Sequence, residues 1–219
     1  MEGAKMKRGV VFDLDGTLWD SSEEVVSSWN EVLKNYQNGR YLITLEQMKG
    51  AMGLPMLELG KKLWPSLKEE EVLPLLNECM EKENLYLLSH PGKLYPHVKE
   101  TLEKLHRLYP LYIVSNAQKG YIEAFLEGTA LSSCFDDYLC WGDTLAPKEI
   151  TMKALQERNH LEECIYVGDT QGDESSSRKA SFHFIHAGYG FGKAKNPDKE
   201  MKDFSSLPDL VQEIFSERG

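Results

Sequence analysis

The feature that most constrains the fold of this chain is a recurrence of short, wholly apolar runs. They cover residues 9–12, 111–114, 164–167 and 182–185 and are rich in Val, Ile and aromatic side chains. Runs this short and this apolar read as strands buried on both faces. Residues 138–141 read the same way, less clearly. Helical periodicity fills the intervals, over 98–108, 121–126, 150–157 and 207–215. Strands that alternate with helices need crossover connections, and crossovers generate a parallel sheet. The expected class is α/β, a Rossmann-like parallel sheet with helices on both faces.

Residues 21–89 interrupt that alternation, with helical periodicity throughout and no convincing strand. Thr44 with Gln47, and Ser66 with Glu69, have the spacing of capping boxes that open helices. Gly53 with Pro55 marks a break between helices, and Ser89-His90-Pro91-Gly92 a boundary. The chain therefore divides into a sheet domain of residues 1–20 and 90–219 and a small helical domain of residues 21–89. The two connections between them fall at Trp19-Asp20-Ser21 and at residues 89–96.

Charge and composition exclude several classes of partner. A net charge of −10 argues against nucleic acid, whose phosphate backbone requires clustered Lys and Arg. The polar N-terminal residues do not form a signal peptide, and no apolar run is long enough to span a bilayer. A cytoplasmic address is the default expectation. Cys79, Cys134, Cys140 and Cys164 have no CxxC spacing, and the six histidines have no ligand spacing, so reduced thiols and structural histidines are expected.

The ends of the apolar runs carry the chemistry. Asp13-Leu14-Asp15-Gly16-Thr17 follows the first strand directly, where ligands gather in open parallel sheets. Two carboxylates this close are not both ionised cheaply without a cation. Ser115-Asn116 ends the second strand just before a helix, whose free N–H groups suit phosphate. Lys148 stands near the start of another helix, where a cation is unfavourable for the helix itself. Gly168-Asp169-Thr170-Gln171-Gly172-Asp173 ends a further strand and adds two carboxylates. By contrast, the stretch 188–193 reads as a flexible turn, because its glycines match neither a P-loop nor GxGxxG. Gly142-Asp143-Thr144 reads as a loop.

In that order, Asp-x-Asp-Gly-Thr, strand-end Ser-Asn, Lys and Gly-Asp-Thr-x-x-Asp resemble the haloacid dehalogenase-like superfamily over residues 10–190, with residues 21–89 where its helical cap belongs. The resemblance implies a phosphohydrolase in which Asp13 attacks phosphorus and forms an aspartyl-phosphate. It implies that Asp15 is the general acid and base and contributes its main-chain carbonyl to a Mg²⁺ ion. Asp13, Asp169 and Asp173 would supply the metal's carboxylates, Asp173 directly or from behind. Thr17, Ser115, Asn116 and Lys148 would hold the phosphoryl oxygens, Lys148 also offsetting the carboxylates. The second aspartate, Asp15, favours phosphoryl transfer over carbon–halogen cleavage.

Met52-Gly53-Leu54-Pro55-Met56 lies where capped relatives place a specificity loop, and its Gly-Leu-Pro is similar to that of phosphoglycolate phosphatase-like enzymes. The expected partner is a small phosphorylated metabolite, and the expected state a monomer or weak homodimer. A phosphosugar mutase of the β-phosphoglucomutase type, a non-catalytic phospho-binding regulator and a phospho-receiver module are the alternatives.

Overall fold

The computed structural model describes residues 6–217; the polar residues 1–5 lie outside them. The chain enters through β1 (Arg8–Phe12) and β2 (Trp19–Asp20) and runs into α1 (Ser22–Leu33), α2 (Leu45–Lys49), α3 (Met56–Leu63) and α4 (Glu69–Ser89). It returns through β3 (Lys93–Leu94), α5 (Val98–His106), β4 (Leu111–Ser115), α6 (Tyr121–Thr129), β5 (Asp137–Cys140) and α7 (Trp141–Thr144). Then follow α8 (Lys148–Arg158), β6 (Glu163–Gly168), α9 (Gln171–Ala180), β7 (His183–Ala187), β8 (Lys199–Met201) and α10 (Leu207–Ser216).

Six strands form one parallel sheet in the order β5-β4-β1-β6-β7-β8. Side chains alternate across a strand, so each strand serves two cores. Val10, Phe12, Ile113 and Val167 pack into one apolar cluster, and Val11, Tyr112, Val114 and Tyr166 into another. That two-sided burial is why these strands read as continuous apolar runs. In register, Phe12 lies beside Ile113 on one side and Val167 on the other. The carboxyl ends of β1, β4 and β6 therefore open along one edge of the sheet, at the point where the chain order reverses.

The α/β expectation holds, with local departures. β8 has no counterpart in the sequence reading: it is a three-residue edge strand in which only Met201 is buried. Residues 142–144, read as a loop, belong to the short helix α7. The Ser66–Glu69 capping box does not form. Leu67 N–H closes a turn on Trp64 O at 3.0 Å, so the helix begins two residues later, where Glu71 accepts from Lys68 N–H at 3.0 Å. The Thr44–Gln47 box is present in both directions, at 3.2 and 2.8 Å.

Helices α1 to α4 pack around their own apolar cluster, centred on Trp29, Leu33, Met48, Trp64 and Val72. The Trp29 and Trp64 rings stack at 5.9 Å between centroids. The two connections to the sheet pair with each other as the β2–β3 antiparallel ribbon, Trp19 opposite Leu94 and Asp20 opposite Lys93. No described helix is long and apolar enough to cross a membrane.

Helix α4 also touches the loop after β4. Gln118 Nε2 donates to Glu83 Oε1 at 3.1 Å and to Asn84 Oδ1 at 3.0 Å, while Asn84 Nδ2 donates to Lys119 O at 2.8 Å. Trp29 Nε1 donates to the other Glu83 oxygen. Glu83 is buried, and burial pushes its carboxyl up to about 8 from an ordinary 4.5. Its neutral form stabilises the fold fully below pH 4.5, and that contribution fades as pH rises toward 8. Glu83→Gln cannot ionise. Denaturant unfolding should therefore show E83Q gaining on the wild type by roughly 1 kcal/mol or more between about pH 5 and pH 8. An offset that stays constant over that range contradicts the burial argument.

Candidate active site

Asp13 is the first residue after β1, and the chain then turns through Gly16, whose φ of +82° suits glycine. Its Oδ1 accepts from Lys148 Nζ at 2.9 Å, and the same ammonium donates to Asp173 Oδ1 at 2.6 Å. Lys148 opens α8 and is buried. Below it, the Tyr166 hydroxyl donates to Val114 O at 2.7 Å and lies 3.4 Å from Asp13 Oδ1.

Asp173 is held by the first turn of α9. Thr170 donates to its Oδ2 from both N–H (3.0 Å) and Oγ1 (2.7 Å), and Asp173 N–H donates back to Thr170 Oγ1 at 3.1 Å, a capping box. Asp169, at the end of β6, is gripped from the loop after β7. Its Oδ2 accepts from Phe191 N–H at 2.7 Å and Gly192 N–H at 3.2 Å. The approach is so close that a Cβ on Gly190 would fall 2.4 Å from Asp169 Cβ.

Asp13, Asp169 and Asp173 each offer a carboxylate oxygen within 4.8 Å of the others. Asp169 Oδ1 is buried and has no hydrogen-bond partner. Three buried carboxylates share one lysine, so the cluster lacks positive charge. Burial, with Asp173 and Asp13 adding repulsion, pushes Asp169 up to about 8. Burial also pushes Asp13 up to about 7, although Lys148 pulls the other way. For Lys148, burial favours loss of the proton, but Asp13 and Asp173 outweigh it and hold the ammonium well above the ordinary lysine value. An orphaned carboxylate oxygen in an electron-rich, oxygen-lined cluster fits a hard divalent cation.

Asp15 faces the ribbon between the two modules. Its Oδ1 accepts from Ser21 Oγ (2.7 Å), Tyr121 OH (2.7 Å) and Trp19 Nε1 (3.0 Å). Burial raises its carboxyl above the usual range against those three donors. Ser115 is buried at the end of β4, and its Oγ accepts from Ala117 N–H at 3.2 Å. Asn116 Nδ2 reaches across to Gly53 O in the helical module at 3.0 Å.

Asp13, Asp15, Ser115 and Asn116 share the wall of an inner cavity of about 40 Å³, closed on the other side by Trp29, Met52, Met56 and Glu83. Lys148 and Asn116 also line a wider outer cleft of about 760 Å³. Of the sequence-read residues, Asp169 and Asp173 line neither cavity but join Asp13 in the carboxylate cluster, and Thr17 is brought to neither the cavities nor the cluster. It is fully buried, with its Oγ1 unpartnered and its carbonyl accepting from Tyr189 OH at 2.7 Å.

Several contributors were not legible as such. Tyr166 reads as strand filler, Ser21 as part of a connection, Tyr121 as a helix residue, and Glu83 as one acid among many. The stretch 188–193 is more than a flexible turn, since its amides hold Asp169. Its density of glycine was the available signal.

Comparison with known proteins agrees with this geometry. The family model described as haloacid dehalogenase-like hydrolase matches residues 10–187. A phosphoglycolate phosphatase of Photobacterium profundum is 29% identical over 231 residues, covering 96% of this chain and 97% of its own length. The pyrophosphatase PpaX of Oceanobacillus iheyensis is 25% identical over 219 residues, covering 95% and 99%. Among solved structures, a haloacid dehalogenase-like family hydrolase from Streptococcus pneumoniae superposes with a TM-score of 0.81 at 20% identity, covering 94% of this chain and 99% of its own. With its strand-end acids, buried lysine and matched family pattern, the chain belongs to the haloacid dehalogenase-like hydrolases.

Proposed function

We propose that the protein is a Mg²⁺-dependent phosphatase that hydrolyses a small organic phosphomonoester through an aspartyl-phosphate on Asp13, with residues 21–89 as a cap over the site. The observation that carries this reading is the ion pair of Asp13 and Lys148 beside Asp169 and Asp173, at the carboxyl ends of the central strands. Asp13, Asp169, Asp173 and the main-chain carbonyl of Asp15 are the groups that would hold Mg²⁺. When bound, the ion offsets the acidic crevice and draws charge from the phosphoryl oxygens.

Asp13 supplies a carboxylate oxygen to phosphorus, and the ester P–O bond breaks as the new one forms. Asp15 gives its proton to the departing alkoxide, which suits a carboxyl whose burial favours the protonated form. It then takes a proton from water as the water oxygen attacks phosphorus. The Asp13–phosphorus bond breaks, inorganic phosphate leaves and the carboxylate is restored. Lys148 and the Ser115 hydroxyl would stabilise the non-bridging oxygens, a contribution of positioning and charge. The names of the relatives differ in substrate, phosphoglycolate in one and pyrophosphate in the other, so their likeness supports the reaction class more than any one ester.

Asp13→Asn should abolish phosphate release while circular dichroism and unfolding remain those of a folded protein; undiminished turnover would refute the nucleophile. Lys148→Met should lower kcat/KM by about 100-fold or more, as expected for loss of an electrostatic contact in a buried site. A loss below about five-fold would remove Lys148 from the chemistry. EDTA should stop turnover and added Mg²⁺ restore it, and full activity in chelator would rule out the cation.

A further inference from the structure

This inference rests on the phosphatase reading and concerns which ester the site takes. The leaving group must face Asp15, the proposed proton donor. Asp15 and Asp13 line the inner cavity, whereas neither lines the outer cleft. The organic part of the substrate therefore occupies the inner cavity, whose volume of about 40 Å³ leaves space for only a few non-hydrogen atoms. Its walls beyond Asp13 and Asp15 are chiefly apolar, formed by Val25, Trp29, Met48, Met52, Met56 and Leu59.

Among the described residues, no lysine, arginine or histidine lines this cavity. Lys148 is committed to Asp13 and Asp173. The cavity wall also includes a buried acid, Glu83, with one oxygen accepting from Gln118 and the other from Trp29. Those two donors fix the carboxyl plane of a residue that lines the cavity wall. A carboxylate brought here would be a desolvated anion with no cation, sharing at most one proton with Glu83, which is costly. A hydroxyl can exchange hydrogen bonds with Glu83, and an ammonium can form an ion pair with it.

We infer that Glu83 is a specificity-determining residue and that the site selects short phosphomonoesters ending in a hydroxyl or ammonium group, discriminating against those ending in a carboxylate. The preference thus runs against phosphoglycolate, the substrate named for several relatives.

The test is a size-matched series of two-carbon esters assayed for phosphate release with Mg²⁺: 2-hydroxyethyl phosphate, phosphoethanolamine, 2-phosphoglycolate and, as the form lacking a distal polar group, ethyl phosphate. The wild type should show kcat/KM at least ten-fold higher for the hydroxyl and ammonium esters than for 2-phosphoglycolate. Glu83→Gln should reduce the ratio of phosphoethanolamine to ethyl phosphate by at least ten-fold, because the amide keeps the shape but cannot ionise opposite an ammonium. Equal or better turnover of 2-phosphoglycolate overturns the inference while leaving the phosphatase reading intact. So does an E83Q variant that slows all four esters equally, which is the mark of a purely structural tether. Should E83Q not fold, the wild-type series decides alone. Failure to release phosphate from any of the four sinks the phosphatase reading and this inference together.

Discussion

One ammonium group organises the site. Lys148 Nζ stands between Asp13 and Asp173 with all three side chains buried, and the third acid, Asp169, lies against the same cluster. Burying such charges is costly unless each is paired, and removing one member of a buried pair typically costs about 3–5 kcal/mol. The fold meets that cost by delivering each partner from the end of a different element: Asp13 after β1, Asp169 after β6, Asp173 in the first turn of α9, Lys148 at the first turn of α8. A lysine at a helix N-terminus opposes the helix dipole, and here two carboxylates offset that opposition. The cluster still carries more negative than positive charge. That imbalance is what makes the crevice receptive to a divalent cation and, through it, to a phosphoryl group.

The helical module matters because it closes the crevice and because its attachment touches the chemistry. Asp15 is bonded to Trp19 and Ser21, on the outgoing connection, and to Tyr121, at the start of α6. The position of the proposed proton donor is therefore tied to the ribbon through which the module is attached. Across the gap, Asn116 reaches Gly53, and Gln118 reaches Glu83 and Asn84. In the proposed reaction, closure would keep bulk water from a covalent intermediate that is labile to it. Gly53 and Glu83 from one side and Asn116 and Gln118 from the other all line the inner cavity.

How much of this was legible in the sequence depended on whether a residue leaves a local pattern. Strands buried on both faces must be apolar throughout, so β1, β4, β6 and β7 stood out, and the strand-end acids stood out against them. β8 left no such trace, because an edge strand of three residues needs only one buried side chain, Met201. The Ser66–Glu69 spacing was a sound local signal overridden by the turn that Leu67 closes on Trp64. Backbone groups are silent in sequence, which hid the Phe191 and Gly192 amides on Asp169. Glu83 lies in an acid-rich helix, and only tertiary packing against Trp29 and Gln118 distinguishes it from its exposed neighbours.

The central claim, that the paired and buried Asp13 carboxylate is the group that bonds to phosphorus, is most directly tested by trapping it. The folded protein would be mixed with Mg²⁺ and a turned-over ester, quenched in acid within a single turnover, digested and mapped by mass spectrometry. The account predicts an acid-stable, base-labile phosphoryl group on the peptide that contains Asp13, lost when turnover is allowed to finish. Phosphate release with no such adduct at any quench time, or with the phosphoryl group on another residue, would contradict it.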